Sequence, residues 1–322
     1  MLKEFFQSNL FKRMLLTTIT VPVVFLSLFF PLKSHIFLVL IFGFVITYLG
    51  SFEINSLIFN KGIKVNRHFI PGVNLLIYIF AYIYANNYFS IHSYPQALPL
   101  FFLFLISLLS FIYARDIFAK DLTVSFEKIA YTLFGILYIG IPSFVLPFLL
   151  NIDPDPVNKL ADVPNVPIFY CVKSQGTQFS AMLVIFLTIC IWVNDIFAYV
   201  FGMTFGKKKK LGIAASPNKS LAGYIGGYLT TFAFVGAYYI FFGKYLSQMP
   251  TAFYFLFPVI SGFLVPIGDL VESVVKRSVN VKDSGNVIMG RGGVLDSVDT
   301  LLYLLPIYFI VLQVYFSFIV SK

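Results

Sequence analysis

At 322 residues, 59% hydrophobic and only 11% charged, with 40 Phe and 20 Tyr, the chain lies outside the composition of soluble globular domains. Its formal net charge is +9, and the distribution of that charge carries more information than its sign. The two cysteines, Cys171 and Cys190, exclude a disulfide framework and show no metal-ligand spacing; Cys190 sits in an apolar run and reads as a small core residue.

In chain order, Lys3, Lys12 and Arg13 precede an apolar stretch in the manner of a signal sequence. That stretch is too long for an h-region and lacks a small-residue cleavage site, so it reads as an uncleaved first helix. Nine apolar runs are long enough to cross about 30 Å of hydrocarbon, allowing for tilt. They lie near 14–31, 36–51, 69–88, 97–114, 130–150, 180–203, 221–242, 251–272 and 301–320. The second run is short, and its boundary with the following loop falls near Glu53. Prolines inside the runs (Pro142, Pro147, Pro258, Pro266 and Pro306) are tolerated in membrane helices, with kinks. The predicted fold is therefore an all-α, polytopic membrane protein of about nine transmembrane helices.

Alternate loops divide the basic residues unevenly. With the N-terminus inside, the inner loops hold 18 of the 23 Lys and Arg and the outer set holds 5. The positive-inside rule then puts the N-terminus in the cytoplasm and the C-terminus outside. The outer loop 151–179, rich in Pro and Asp, reads as a surface connection. The first four runs are nearly free of polar groups and read as scaffold, lipid-facing or dimerising. The expected division is a scaffold over 1–179, about five spans with the outer loop, and a catalytic membrane region of about four spans over 180–322. No internal repeat or inverted pair of broken helices is evident.

Chemistry-bearing residues crowd into the second part. In the sixth run Asn194 and Asp195 interrupt apolar sequence, with Tyr199 and Gly202 on the face of Asp195. An ionisable residue at such depth marks either a functional site or an interhelical hydrogen bond that locks packing. The following inner loop carries Lys207 to Lys210, which suffice as a topogenic cluster drawn to anionic lipid. Ser216-Pro217-Asn218-Lys219-Ser220 comes next, just before a helix. It places hydroxyls and an ammonium at a helix N-terminus, where phosphate is favoured.

The densest stretch is Gly268 to Thr300. If the eighth run continues as a helix through Arg277, then Asp269, Glu272, Ser273 and Lys276 share one face. Asp296 and Asp299 open the last run. Between them runs a basic, glycine-rich loop with Lys282, Asp283, Gly285, Gly290, Arg291, Gly292 and Gly293. Paired acids suit a hard cation, and bases with glycine amides suit phosphate, so the segment predicts a metal-dependent site for a phosphate compound. The alternative is a solvated boundary loop with Asp299 capping a helix.

On these residues the chain resembles the phosphatidate cytidylyltransferase (CDP-diacylglycerol synthase) family. Its signature is matched by Ser273, Lys276, Arg277, Lys282, Asp283, Gly285, Gly290, Gly292, Gly293, Asp296 and Asp299, with Gly268-Asp269-Leu270 upstream. Two earlier family motifs match at Asp195–Lys207 and Ser216–Gly223. The chain departs from the pattern at Arg291 (His in the family), Ser297 (Arg), Ala222 (Glu), Met289 (Pro) and Met203 (commonly a base).

The resemblance implies transfer of CMP from CTP to phosphatidate at the cytoplasmic face of the inner membrane. It implies a catalytic Mg²⁺ on Asp269 and Asp296, with K⁺ as an option for a second cation. Catalytic work falls to Lys276, Arg277, Lys282 and Asp283. Ser216, Lys219, Ser220, Ser273, Arg291, Asp195 and Asp299 fall to substrate binding. The partners expected are CTP, phosphatidate and the bilayer, with a homodimer as an option and no nucleic acid. Competing readings are a CTP-dependent enzyme acting on another lipid phosphate or a polyprenol, a transporter or flippase, and a catalytically inactive relative. A transporter should spread polar residues through several spans near the midplane, whereas here they gather at the ends of the last four.

Overall fold

The structure is a computed structural model, and it describes residues 35–85, 94–114, 117, 122–150, 178–207, 209–242, 251–288 and 292–320. The first expected run, most of the loop 151–179, Cys171 and Arg291 lie outside the described residues.

Eight helices form among the described residues, as the all-α reading requires. They are α1 (His35–Asn60), α2 (Phe69–Ala85), α3 (Tyr94–Ala114), α4 (Ser125–Leu149), α5 (Gln178–Phe205), α6 (Leu221–Phe242), α7 (Thr251–Ser278) and α8 (Leu295–Val320). Extended structure is confined, among these residues, to two isolated bridges, Lys210 with Ser220 and Ile288 with Gly292. Five helices are long and apolar enough to cross a membrane, over Ile41–Asn60, Ser125–Leu149, Phe186–Phe205, Phe253–Ser278 and Leu295–Leu312. The helix at 221–242 forms where expected, but it is not one of the five.

Two differences from the expected bounds bear on the site. The second run, expected to end at 51, continues as α1 to Asn60 and carries Glu53 into the interior. The last helix begins at Leu295, not 301, so Asp296 and Asp299 belong to its first two turns. The two changes have one cause, the pairing of Glu53 with the start of α8, described below.

In a hydrocarbon solvent apolar side chains gain little from leaving lipid, so packing and interhelical hydrogen bonds must hold the helices together. Phe186, fully buried on α5, meets Tyr238 of α6 at a ring-centroid distance of 4.8 Å and Phe257 of α7 at 4.9 Å. Phe257 in turn meets Tyr308 of α8 edge-on at 4.9 Å. Such pairs contribute about 0.5–1.5 kcal/mol each beyond area burial. A second cluster joins Ile54 and Leu57 of α1, Ile70 of α2, Ile136 and Ile139 of α4, and Leu295 and Leu302 of α8.

Small polar groups lock the crossings. Asn74 donates to Ser51 Oγ at 2.8 Å, Thr47 and Ser143 share a 2.8 Å bond, and Asn194 donates to Thr231 Oγ1 at 3.0 Å. The interhelical bond expected in the sixth run is thus made by Asn194, while Asp195 is turned to the exposed side of α5.

The loops after α1, α5 and α7 meet at one end of the bundle. Lys61 Nζ donates to Ser278 O at 3.0 Å, and Lys219 Nζ donates to Pro266 O at 3.1 Å. That end holds the acidic and basic residues singled out above.

Candidate active site

The polar face of α7 is the spine of the site. The helix continues unbroken through Ser278 and so puts Asp269, Glu272, Ser273 and Lys276 on one side. It stops at Asn280, a left-handed residue with φ 58°. There Val281 N donates to Lys276 O at 3.1 Å and Asn280 N to Arg277 O at 3.0 Å, which is a Schellman closure. Gly268 brings the neighbouring helix in: a Cβ there would lie 3.1 Å from Thr300 Cα. Close approach of α7 and α8 at this point brings Asp269 within electrostatic reach of Asp299.

Lys276 ties α7 to α8. Its ammonium lies 2.6 Å from Glu272 Oε2 and 2.6 Å from Asp296 Oδ1. Glu272 is 1% exposed, and its Oε1 has no hydrogen-bond partner. Burying a carboxylate costs several kcal/mol unless it is paired, and one lysine here answers two acids. The other oxygen of Asp296, Oδ2, accepts from Gly293 N at 2.7 Å, Ser284 N at 2.9 Å and Ser284 Oγ at 3.0 Å. Asp299 is held by its own turn, Oδ1 accepting from Thr300 N at 2.6 Å.

The glycine-rich loop folds back on itself, with Ile288 and Gly292 exchanging bonds of 2.8 and 3.1 Å. Gly292 has φ 101°, a conformation that favours glycine. The amides at the start of α8 are not left for a ligand. Val294 N and Leu295 N donate to Glu53 Oε1 and Oε2, each at 2.8 Å, and Ser284 Oγ lies 2.9 Å from Oε2. A Cβ at Gly293 would collide with Glu53 and Ser284, and one at Gly285 would lie 2.7 Å from Glu53 Oε1. Glu53 takes three donors, Val294 N, Leu295 N and the Ser284 hydroxyl, and the loop-glycine amides expected to grip phosphate are not among them.

The second motif joins from the other side. Lys219, in the loop before α6, forms an ion pair with Asp269. Ser220 is buried and caps α6, its hydroxyl accepting from Gly223 N at 3.2 Å. Ser216 is half-buried in the turn before it, and Ser273 is half-buried on α7. Arg277, Lys282 and Asp283 are exposed, with Arg277 Nη1 donating to Val281 O at 3.1 Å. Ser297, where the family has Arg, turns its hydroxyl back to Gly293 O at 3.4 Å.

Thus Lys219, Asp269, Glu272, Lys276, Asp296 and Asp299 belong to one connected electrostatic network. Glu53 and Ser284 are the residues that sequence reasoning missed. Glu53 stood out only as a lone acid inside an apolar stretch, and Ser284 as an ordinary loop serine.

Among the described residues no cluster of three or more His, Cys, Asp or Glu could hold a metal by itself. Mg²⁺ does not need one, since it is commonly held by one or two carboxylates together with substrate phosphates. Asp269 and Asp296 offer the carboxylate oxygens such an ion takes; the orphaned buried oxygen nearby is Glu272 Oε1.

A model described as "Cytidylyltransferase family" matches residues 11–315. A phosphatidate cytidylyltransferase of Bacillus subtilis is 26% identical over 307 residues, covering 94% of this chain and 98% of that protein. Another of that name, from Staphylococcus haemolyticus, is 35% identical over 144 residues, which is 45% of this chain and about half (52%) of the relative. A third, from Thermotoga maritima, is 30% identical over 182 residues, 54% of this chain and 67% of that protein.

Proposed function

The chain belongs to the cytidylyltransferase family, and from that premise we propose that it is a phosphatidate cytidylyltransferase. It transfers CMP from CTP to phosphatidate, giving CDP-diacylglycerol and pyrophosphate for phospholipid biosynthesis. The observation that carries this reading is the convergence of separate sequence motifs on one network, Lys219 with Asp269 and Lys276 with Asp296.

The attacking atom is a phosphomonoester oxygen of phosphatidate, whose second pKa near 6 leaves it largely ionised at neutral pH. It forms a bond to the α-phosphorus of CTP, the α–β bridging bond breaks, and pyrophosphate leaves with the electron pair. No proton has to be removed, so Arg291 in place of the family histidine costs no general base. What remains is to hold two polyanions in line and neutralise them. Lys219, Arg277 and Lys282 supply cations for the phosphates. Lys276 keeps Asp296 fixed, and Asp283 and Ser216 line the approach.

Asp269 and Asp296 are the residues that would hold Mg²⁺. When bound, the ion would offset charge on the triphosphate and on the departing pyrophosphate. Asp269 is neutralised by Lys219, and Lys219 would be released to the triphosphate wherever Asp269 held a cation. The lipid enters from the bilayer, and CTP from the cytoplasmic side.

Purified protein given radiolabelled CTP and phosphatidate with Mg²⁺ is expected to form labelled CDP-diacylglycerol and pyrophosphate, and to stop on chelation. Product formed only with a polyprenyl phosphate would move the reading to another lipid phosphate. No product with either substrate would mark an inactive relative.

A further inference from the structure

Glu53 is 4% exposed on a helix of otherwise apolar character. Its three donors, Val294 N, Leu295 N and Ser284 Oγ, all come from the loop and helix start that carry Asp296. We propose that Glu53 is a positioning residue for cytidylyl transfer, an anion built into α1 that fills the amino end of α8 and holds Asp296 in place through Ser284. The inference rests on the reading of the site given above.

Three observations favour positioning over simple packing. The crossings of α1 with α2 and with α4 are locked by neutral groups, Asn74 with Ser51 and Thr47 with Ser143. Where α1 meets α8 a carboxylate instead reaches into a helix N-terminus, where two adjacent amides and the helix dipole favour an anion. The link to the site is also direct. Ser284 has one hydroxyl proton, and it stands 2.9 Å from Glu53 Oε2 and 3.0 Å from Asp296 Oδ2. The two carboxylates share that donor, so a shift of Glu53 changes what Asp296 receives. Finally, the anchor is firm, since Ile54 beside it is fully buried and Leu57, one turn on, is 2% exposed.

A consequence follows for substrate. With Val294 N and Leu295 N committed to Glu53, these amides do not serve the phosphates, and the grip passes to the side chains of Lys219, Arg277 and Lys282.

The test compares wild type, Glu53→Gln and Ser284→Ala as purified full-length proteins. The glutamine is isosteric but opposes one amide donor with another donor. The serine change removes only the shared hydroxyl. Both variants are expected to lose about tenfold or more in kcat, with KM for CTP and phosphatidate within about threefold of wild type. Hydrogen exchange at residues 293–295 should quicken about tenfold in Glu53→Gln while 50–58 stays protected. Wild-type kcat in a folded Glu53→Gln protein, or loss of thermal stability alone, would overturn the proposal. If Glu53→Gln does not fold, an unchanged kcat in Ser284→Ala overturns it and a selective loss upholds it. If the wild type itself transfers no cytidylyl group, the functional reading fails separately. The exchange rates then decide whether Glu53 holds the loop, unchanged rates overturning the clamp.

Discussion

At the scale of single residues, the two acids assigned to the cation are held in different ways, and their variants should separate. Asp269 has a side chain 41% exposed and pairs with Lys219. Asp269→Asn should keep the fold and its thermal midpoint while transfer falls by about two orders of magnitude or more. Asp296, only 7% exposed, accepts from Lys276, Ser284 and Gly293. An amide there must turn its NH₂ towards one of these donors, so Asp296→Asn should lose activity and also melt several degrees lower. Thermal unfolding in detergent, read beside the transfer assay, checks both; near-normal turnover in folded Asp269→Asn would remove it from the metal site. Lys276 gives a complementary expectation. It alone neutralises Glu272 among the described ion pairs, and it also serves Asp296. Lys276→Met should therefore cost about 3–5 kcal/mol of stability, the penalty for stranding buried charge. An unchanged unfolding midpoint would show that the two acids do not need it.

At the scale of elements, the polar face of α7 was legible because helical spacing alone sets Asp269, Glu272, Ser273 and Lys276 in line. The extent of α1 was not. A hydropathy reading stops at an acid, and what sustains this helix past Glu53 is a set of donors about 240 positions away in sequence. No local pattern carries that information. The same contact gives two of the loop glycines a role no local pattern shows: Gly285 and Gly293 leave room for a carboxylate of the chain itself. This gives an element-level prediction. A methyl group at Gly293 would collide with Ser284 Oγ and Glu53 Oε2, so Gly293→Ala should displace α1 from α8 and reproduce the loss of turnover in Glu53→Gln. Because both changes break one contact, the double variant should be no worse than the poorer single, a non-additivity of about 1 kcal/mol or more in a double-mutant cycle. Full additivity would mean the two act independently.

At the scale of the molecule, topology decides whether the network can meet a cytosolic nucleotide at all. Lys61 reaches Ser278 and Lys219 reaches Pro266, so the loops after α1, α5 and α7 share an end. An even number of helices separates each of these loops from the next, α2 to α5 and then α6 and α7, so the three loops share a side of the membrane if every helix crosses it, as the nine-span expectation has it. The contacts between the loops support one side for all three, and the bias of 18 basic residues to 5 argues which side it is. The two inferences are independent and can be tested together. With Cys171 and Cys190 replaced, single cysteines at 64, 214 and 286 should each react with a membrane-impermeant maleimide in inverted vesicles and remain unlabelled in intact cells. Labelling of all three from outside would keep the bundle but invert it, leaving Lys219, Asp269, Lys276 and Asp296 on the side away from cytoplasmic CTP. A split result, one position labelling from the side opposite to the other two, would break the packing of those loops against one another and with it the site.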